Sequence, residues 1–173
     1  MISPDHAYPI YMFTSACRFC RGMLRAGAHL LCIRGEVWHM AGTDESAAFF
    51  SADAYARHNG IEMVEVAPGR ARVRMEVRDH HRNSHGTVHG GVLFTLADTA
   101  FALASNSHGI PAAAINAHIS YMKAASAGML YAEAEEFAQN PKLATYTVHV
   151  TDGNGDRIAV FQGMVYRKTP RRP

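Results

Sequence analysis

The sequence predicts an α+β fold in which an antiparallel sheet of five to six strands wraps around one long central helix. Short segments of alternating apolar and polar residues recur between Ile61 and Tyr166, bounded by Gly, Pro, Asn or Asp. One long apolar stretch, from about His89 to Asn106, has the length of a helix and opens on His89-Gly90-Gly91. Only this connection between strands reads as helical, so the order is hard to fit to a parallel, doubly wound sheet.

The elements follow in chain order. Thr43 is a helix N-cap, Asp44 and Glu45 occupy the first turn, and the helix through Ala47, Phe50, Ala54 and His58 should stop at Gly60. Ile61 to Ala67 forms a strand, Pro68-Gly69 turns, and Arg70 to Val77 alternates as a second strand. Its arginines, Arg70, Arg72 and Arg74, read most simply as a solvated sheet face. Residues 78–88 are a polar loop before the central helix. Three more strands run from Ala112 to Met122, Met129 to Phe137 and Leu143 to Thr151. Asp152-Gly153-Asn154-Gly155 then turns a hairpin into the final strand, Arg157 to Tyr166.

A chain of 173 residues, 48% hydrophobic and 18% charged, is long enough for one domain with a real core. Asp98, Thr95 and Thr99 interrupt the longest apolar stretch, so no membrane span is expected. The net charge is +2, but residues 1–39 carry four arginines against two acids, which leaves the remainder neutral with 13 basic and 13 acidic side chains. Aromatic and basic residues are not interleaved, and nucleic acid is not an expected partner.

Residues 1–39 are an atypical N-terminal extension, and residues 40–173 are the folded domain. The extension holds all three cysteines (Cys17, Cys20, Cys32) and the only tryptophan, Trp38, without a sustained period. Cys17, Cys20, His29 and Cys32 are zinc-ligand types, but the second pair lacks the spacing of a zinc ribbon or finger, and no metal is expected. Few acids and several arginines also give this stretch some character of a transit peptide. A simpler reading places the native start at Met40, because Gly35-Glu36-Val37 can be encoded by a purine-rich, ribosome-binding stretch just upstream. The domain holds no cysteine and needs no disulfide, as expected in a reducing cytoplasm.

Asp98 is the only formally charged residue between Arg82 and Lys123. An unpaired carboxylate on an apolar helix costs several kcal/mol or takes a raised pKa, so it points to chemistry before scaffold. Phe94 and Phe101, one helical turn to either side, supply the apolar surround. A structural role would require a neighbouring hydroxyl, Thr95 or Thr99, to satisfy the acid. Gly90 and Gly91 open the helix, where backbone N–H groups lack intrahelical partners and the macrodipole is positive. Their missing Cβ atoms would let a substrate carbonyl approach. One donor aimed at developing negative charge is worth about 3 kcal/mol in a dry site. Gly90 is therefore the candidate oxyanion donor, with Gly91 beside it.

The run Asn83-Ser84-His85-Gly86-Thr87-Val88-His89-Gly90-Gly91-Val92-Leu93-Phe94-Thr95-Leu96-Ala97-Asp98-Thr99-Ala100-Phe101-Ala102 resembles the signature of the hotdog-fold acyl-CoA thioesterases of the phenylacetic acid degradation (PaaI) type. Ile119 to Ala124 and Gly163 to Arg167 resemble that family's strand patterns, and the resemblance covers about residues 44–168. It implies a hotdog fold and hydrolysis of an aryl- or medium-chain acyl-CoA, of the phenylacetyl or hydroxyphenylacetyl type, without a cofactor. It also implies a site shared between protomers, often in a homotetramer of two dimers, and an amide at Asn83 that places the thioester or a water.

Asp98 lies eight residues beyond Gly90, about 12 Å of helical rise. One protomer cannot bring both to a single carbonyl, so joint action on one thioester requires a homodimer. The carboxylate then serves as general base on water or as nucleophile, and the sequence leaves both routes open. A thiol leaving group with a pKa of about 8.5, by analogy with cysteine, does not need a strong general acid. His89 orders the helix start and is within reach of the substrate. Some family members carry Ser or Thr on the strand after the helix, where this chain has Ala112 to Asn116; Asn116 is its candidate polar substitute, and Thr99, with His89, Gly91 and Asn116, is a candidate substrate-binding residue. Lys123, Lys142, Arg157, Arg167 and Lys168 are available to CoA phosphates. A hotdog hydratase or dehydratase and a non-catalytic acyl-CoA binding protein are the alternative readings.

Overall fold

The computed structural model describes residues 30–33, 36–39 and 43–168. Within the N-terminal extension, β1 (Leu30–Ile33) and β2 (Glu36–His39) pair antiparallel, with Leu30 opposite His39. Strands of four residues are too short for a period to register in the sequence. Cys17, Cys20 and His29 lie outside the described residues, as does Met40.

The lead helix is two helices, α1 (Thr43–Ala52) and α2 (Ala54–His58), where the sequence reads as one. Asp53 causes the break. Its backbone is extended, with φ −78° and ψ 92°, and its carboxylate accepts from the N–H groups of Tyr55 and Ala56 at 3.0 and 2.9 Å. A short acidic side chain that caps the next turn competes with continuation of the preceding helix. Gly60, at φ +66°, ends the segment as its position in the sequence suggests.

Six strands form one antiparallel sheet: β3 (Ile61–Ala67), β4 (Arg70–Glu76), β5 (Ala112–Tyr121), β6 (Met129–Gln139), β7 (Leu143–Asp152) and β8 (Arg157–Arg167). Their order across the sheet is β3-β4-β6-β7-β8-β5. β4 lies near one edge and β5 forms the other, so the connecting helix α3 (Gly90–Asn106) must cross the sheet, and it packs on all six strands. This is the hotdog fold.

Inward residues alternate along the strands, among them Val73, Met75, Leu130, Ala132, Tyr146, Val148, Val150, Phe161 and Val165, all buried. They meet Leu93, Leu96, Ala97, Ala100, Phe101 and Ala104 of α3, and the small residues let the helix axis lie close to the sheet. Phe101 seats the helix: its ring is 5.5 Å from both Tyr146 and Phe161. A Cβ on Gly163 would lie 2.7 Å from Phe101 Cζ, so this strand position has room only for hydrogen.

The outer face is solvated, as the arginine alternation suggests, and its charges are also paired. Arg70, Arg72 and Arg74 pair across strands with Glu135, Glu133 and Glu62, at 3.9, 3.1 and 2.7 Å. Arg72 also lies over the Tyr131 ring, 4.8 Å from its centre. Register explains this, because Arg70 and Arg72 stand opposite Glu135 and Glu133, a relation no single strand's sequence contains.

Candidate active site

The start of α3 is built by its own N-cap. His89 is extended, at φ −63° and ψ 134°, and its Nδ1 accepts from the Gly91 N–H at 2.9 Å. An accepting Nδ1 leaves the ring proton of the neutral imidazole on Nε2. The His89 carbonyl accepts from the N–H groups of Val92 and Leu93, at 2.9 and 3.3 Å. Of the first four N–H groups of α3, only that of Gly90 has no partner among the described residues. The macrodipole and the one open donor coincide at Gly90.

Gly91 differs from its sequence reading in this respect, since its N–H is occupied by His89 and is not open to a carbonyl. The reason for both glycines differs too. A Cβ on Gly91 would lie 3.0 Å from His89 Nδ1, and one on Gly90 would lie 3.0 Å from Tyr121 Oη. The two missing side chains make room for a histidine and a tyrosine of the same chain. Tyr121, the last residue of β5, donates its hydroxyl to the Gly90 carbonyl at 3.0 Å. The sequence reading missed it, because the two residues are 31 positions apart and only the path of β5 brings them together.

A groove of about 350 Å³ runs beside Gly90, lined by Val88, Leu93, Tyr121, Met122, Lys123 and Ala125 among others. Lys123 is thus the candidate CoA-binding cation placed next to Gly90, where it pairs with Asp156 at 2.5 Å. Arg167 is buried instead, donating to the Gln139 side chain and the Asn140 carbonyl, and is spent on the fold.

At 100° per residue, Asp98 lies about 160° around the helix from Ala100, away from the sheet. It is half-buried, between the buried Ala97 and Thr99. Its carboxylate has no hydrogen bond or ion pair among the described residues. Both hydroxyls that could have satisfied it turn to the helix backbone: Thr95 donates to the Gly91 carbonyl at 2.9 Å and Thr99 to the Thr95 carbonyl at 2.8 Å. Burial pushes the Asp98 carboxyl above its ordinary range, and the Asp53 carboxylate at the α1–α2 break adds to the rise. The result is a carboxylate of raised basicity with no internal partner.

Asn83 is engaged within its own loop. Its Oδ1 accepts from the His85 N–H at 2.9 Å, and its Nδ2 donates to the Thr87 hydroxyl at 3.0 Å. An amide nitrogen carries two hydrogens, so one remains to be donated. Asn116 is not brought to the helix side. It stands opposite Met164, and cross-strand partners share a face, whereas Gly163 next to it faces Phe101 and α3. The sheet of its own protomer separates it from Asp98: Ala117 and Ile119, opposite Gly163 and Phe161, take the helix-facing positions, and regular alternation leaves Asn116, His118 and Ser120 together on the other face. Among the described residues no three His, Cys, Asp or Glu side chains converge on a metal position, and no helix is long and apolar enough to cross a membrane.

The thioesterase superfamily description matches residues 85–159, a span that includes α3 with Gly90 and Asp98. The acyl-coenzyme A thioesterase PaaI of Escherichia coli is 36% identical over 121 residues, covering 69% of this chain and 86% of that protein. The structure of the E. coli PaaI protein from the phenylacetic acid degradation operon superposes with a TM-score of 0.72 at 33% identity, over 74% of this chain and 94% of that one. A mutant of the phenylacetic acid degradation protein PaaI from Thermus thermophilus superposes with a TM-score of 0.65 at 42% identity, over 67% of this chain and 100% of that one. In sequence and fold alike, the chain belongs to the PaaI-type hotdog thioesterases, and it is a thioester hydrolase.

Proposed function

We propose that the protein hydrolyses an aryl- or medium-chain acyl-CoA, of the phenylacetyl or hydroxyphenylacetyl type, to the free acid and CoA in a site shared by two protomers. The observation that carries this reading is the pair of unfilled valences on α3: one open N–H at Gly90 and one unpartnered carboxylate at Asp98. They are about 12 Å apart along a rigid helix, so the Asp98 that serves a given Gly90 belongs to a second copy. The edge strand β5 supports such a partnership, because most of its residues are exposed, Ile115 by 57%.

The Gly90 N–H polarises the thioester carbonyl and holds the oxyanion as the carbon becomes tetrahedral. The free hydrogen of the Asn83 amide helps place the carbonyl or the water. In one route the partner's carboxylate takes a proton from water as the hydroxide adds to the carbonyl carbon. The C–S bond then breaks, the thiolate leaves with its electron pair, and the proton passes to the thiolate or to solvent. In the other route the carboxylate oxygen itself adds, CoA leaves as thiolate, and water cleaves the mixed anhydride to regenerate the aspartate. Burial raises the basicity of Asp98 for either role.

The test is thiol release from a panel of acyl-CoAs by wild type, Asp98→Asn, Gly90→Pro and a mixture of the two variants. His89 already has the extended backbone that precedes proline, and proline suits the first helical position, so Gly90→Pro deletes the donor without forcing the backbone, while its Cβ, 3.0 Å from Tyr121 Oη, also displaces the Tyr121 side chain. Each variant alone is expected to lose about a hundredfold or more in kcat. After co-refolding, the mixed dimer combines one doubly defective site with one intact site, and activity should return. Full activity in Asp98→Asn, or no recovery in the mixed dimer, would overturn the shared site. Binding of acyl-CoA without turnover by wild type would mark a binding protein.

A further inference from the structure

We propose that Tyr121 is a positioning residue for the carbonyl-polarising end of α3, acting through Gly90; the inference rests on the reading of Gly90 as oxyanion donor. Tyr121 is the one side chain from outside α3 and its N-cap that bonds the first turn of the helix among the described residues. Its hydroxyl donates to the Gly90 carbonyl at 3.0 Å, and its ring lies against the Gly90 Cα, where a Cβ would come within 3.1 Å of Cζ.

The two contacts fix separate motions of the residue. The ring blocks displacement of Gly90 toward the groove, and the hydroxyl fixes the orientation of the Gly90–Gly91 peptide. That peptide carries the N–H bonded to His89 Nδ1, so one chain runs from the Tyr121 hydroxyl through the Gly90 carbonyl and the Gly91 N–H to the His89 ring. Hydrogen bonds in such a series polarise one another.

The surroundings hold Tyr121 itself in place. Immediately after it, the N–H groups of Met122 and Lys123 both donate to the Ile158 carbonyl, at 2.8 and 3.2 Å, and the Val88 N–H donates to the Ala125 carbonyl at 2.8 Å. The segment after β5 is therefore stitched to β8 on one side and to the approach to α3 on the other. Tyr121 is 54% exposed and contributes little to the core, so its hydroxyl is not needed to keep the chain folded.

The experiment is Tyr121→Phe, which keeps the ring against Gly90 and removes only the hydroxyl. We expect kcat for phenylacetyl-CoA to fall about five- to tenfold, the weight of one hydrogen bond, with KM changed less than about twofold and the melting temperature within about 2 °C of wild type. A second readout is the carbonyl stretching frequency of phenylacetyl-CoA bound to Asp98→Asn, in which hydrolysis is blocked. With Tyr121 intact the band should lie below that of the free thioester, and adding Tyr121→Phe should move it part of the way back. An unchanged kcat and an unmoved band in Tyr121→Phe overturn the positioning role while leaving Gly90 as donor. A fall in kcat matched by a collapse in melting temperature, with the band unmoved, overturns it in favour of a structural role. A bound carbonyl that is unshifted even with Tyr121 present overturns the Gly90 reading, and the role of Tyr121 with it.

Discussion

Gly163→Ala tests how α3 is seated, and with it the placement of Gly90 and Asp98. Gly163 lies in the regular strand β8, so alanine meets no backbone obstacle there. The obstacle is Phe101, whose Cζ and two Cε atoms would stand 2.7, 2.9 and 2.9 Å from the new methyl carbon, against ordinary contact at 3.4 Å or more. The ring has little room to retreat: it is 1% exposed and flanked by Tyr146 and Phe161. Overpacking of this kind costs about 1–3 kcal/mol. Replacing a strand glycine by alanine returns about 0.5–1 kcal/mol of backbone entropy. The net expectation is a loss of about 1–2 kcal/mol, or roughly 3–6 °C in melting temperature for a chain of this size. The assay is urea unfolding at fixed protein concentration for wild type, Gly163→Ala, Phe101→Leu and the double variant. Because leucine vacates the contested volume, Phe101→Leu should cost about 1 kcal/mol less in the Gly163→Ala background than in wild type. Strict additivity, or a Gly163→Ala protein as stable as wild type, would refute this account of the seat.

The raised Asp98 pKa carries two further expectations. In the proposed mechanism attack requires the carboxylate, so kcat/KM should fall as the pH drops through a pKa above the ordinary 3.8. For stability the sign is opposite to that of a salt-bridged acid. The folded state holds the proton more tightly than the unfolded state, so ionised Asp98 is a cost at neutral pH that is relieved as the pH falls through the raised pKa toward 3.8. Asp98→Asn should therefore melt above wild type at pH 7, with the gap closing toward pH 4 in a series of thermal scans. His89→Ala orphans the Gly91 N–H and should cost about 1 kcal/mol, while His89→Asn, which retains a capping acceptor, should lose only a fraction of that in the same denaturation assay.

Much of the fold is legible in the chain because it depends on short-range period and punctuation. The helix from Gly90 to Asn106 was readable from its apolar run and glycine start, and the strands from alternation between turn residues, to within one or two residues at most ends. The break at Asp53 was readable in principle, since an acid before Ala54-Tyr55-Ala56 is a cap signal, but the unbroken apolar pattern concealed it. The pairing of the arginine ladder was not readable, because register belongs to two strands at once.

By itself the sequence determined that a lone carboxylate and a glycine pair share one helix, and that about 12 Å of rise keeps them from a common carbonyl within one protomer. Tertiary structure decided which atoms stay unfilled. The Thr95 and Thr99 hydroxyls turn to backbone carbonyls and leave Asp98 unpaired, His89 takes the Gly91 N–H and leaves that of Gly90 open, and Asn116 falls on the far face of the sheet. A residue's type fixes how many hydrogen bonds it can make. Only the packed chain, which brings Tyr121 to Gly90 across 31 positions, fixes which of them it has already made.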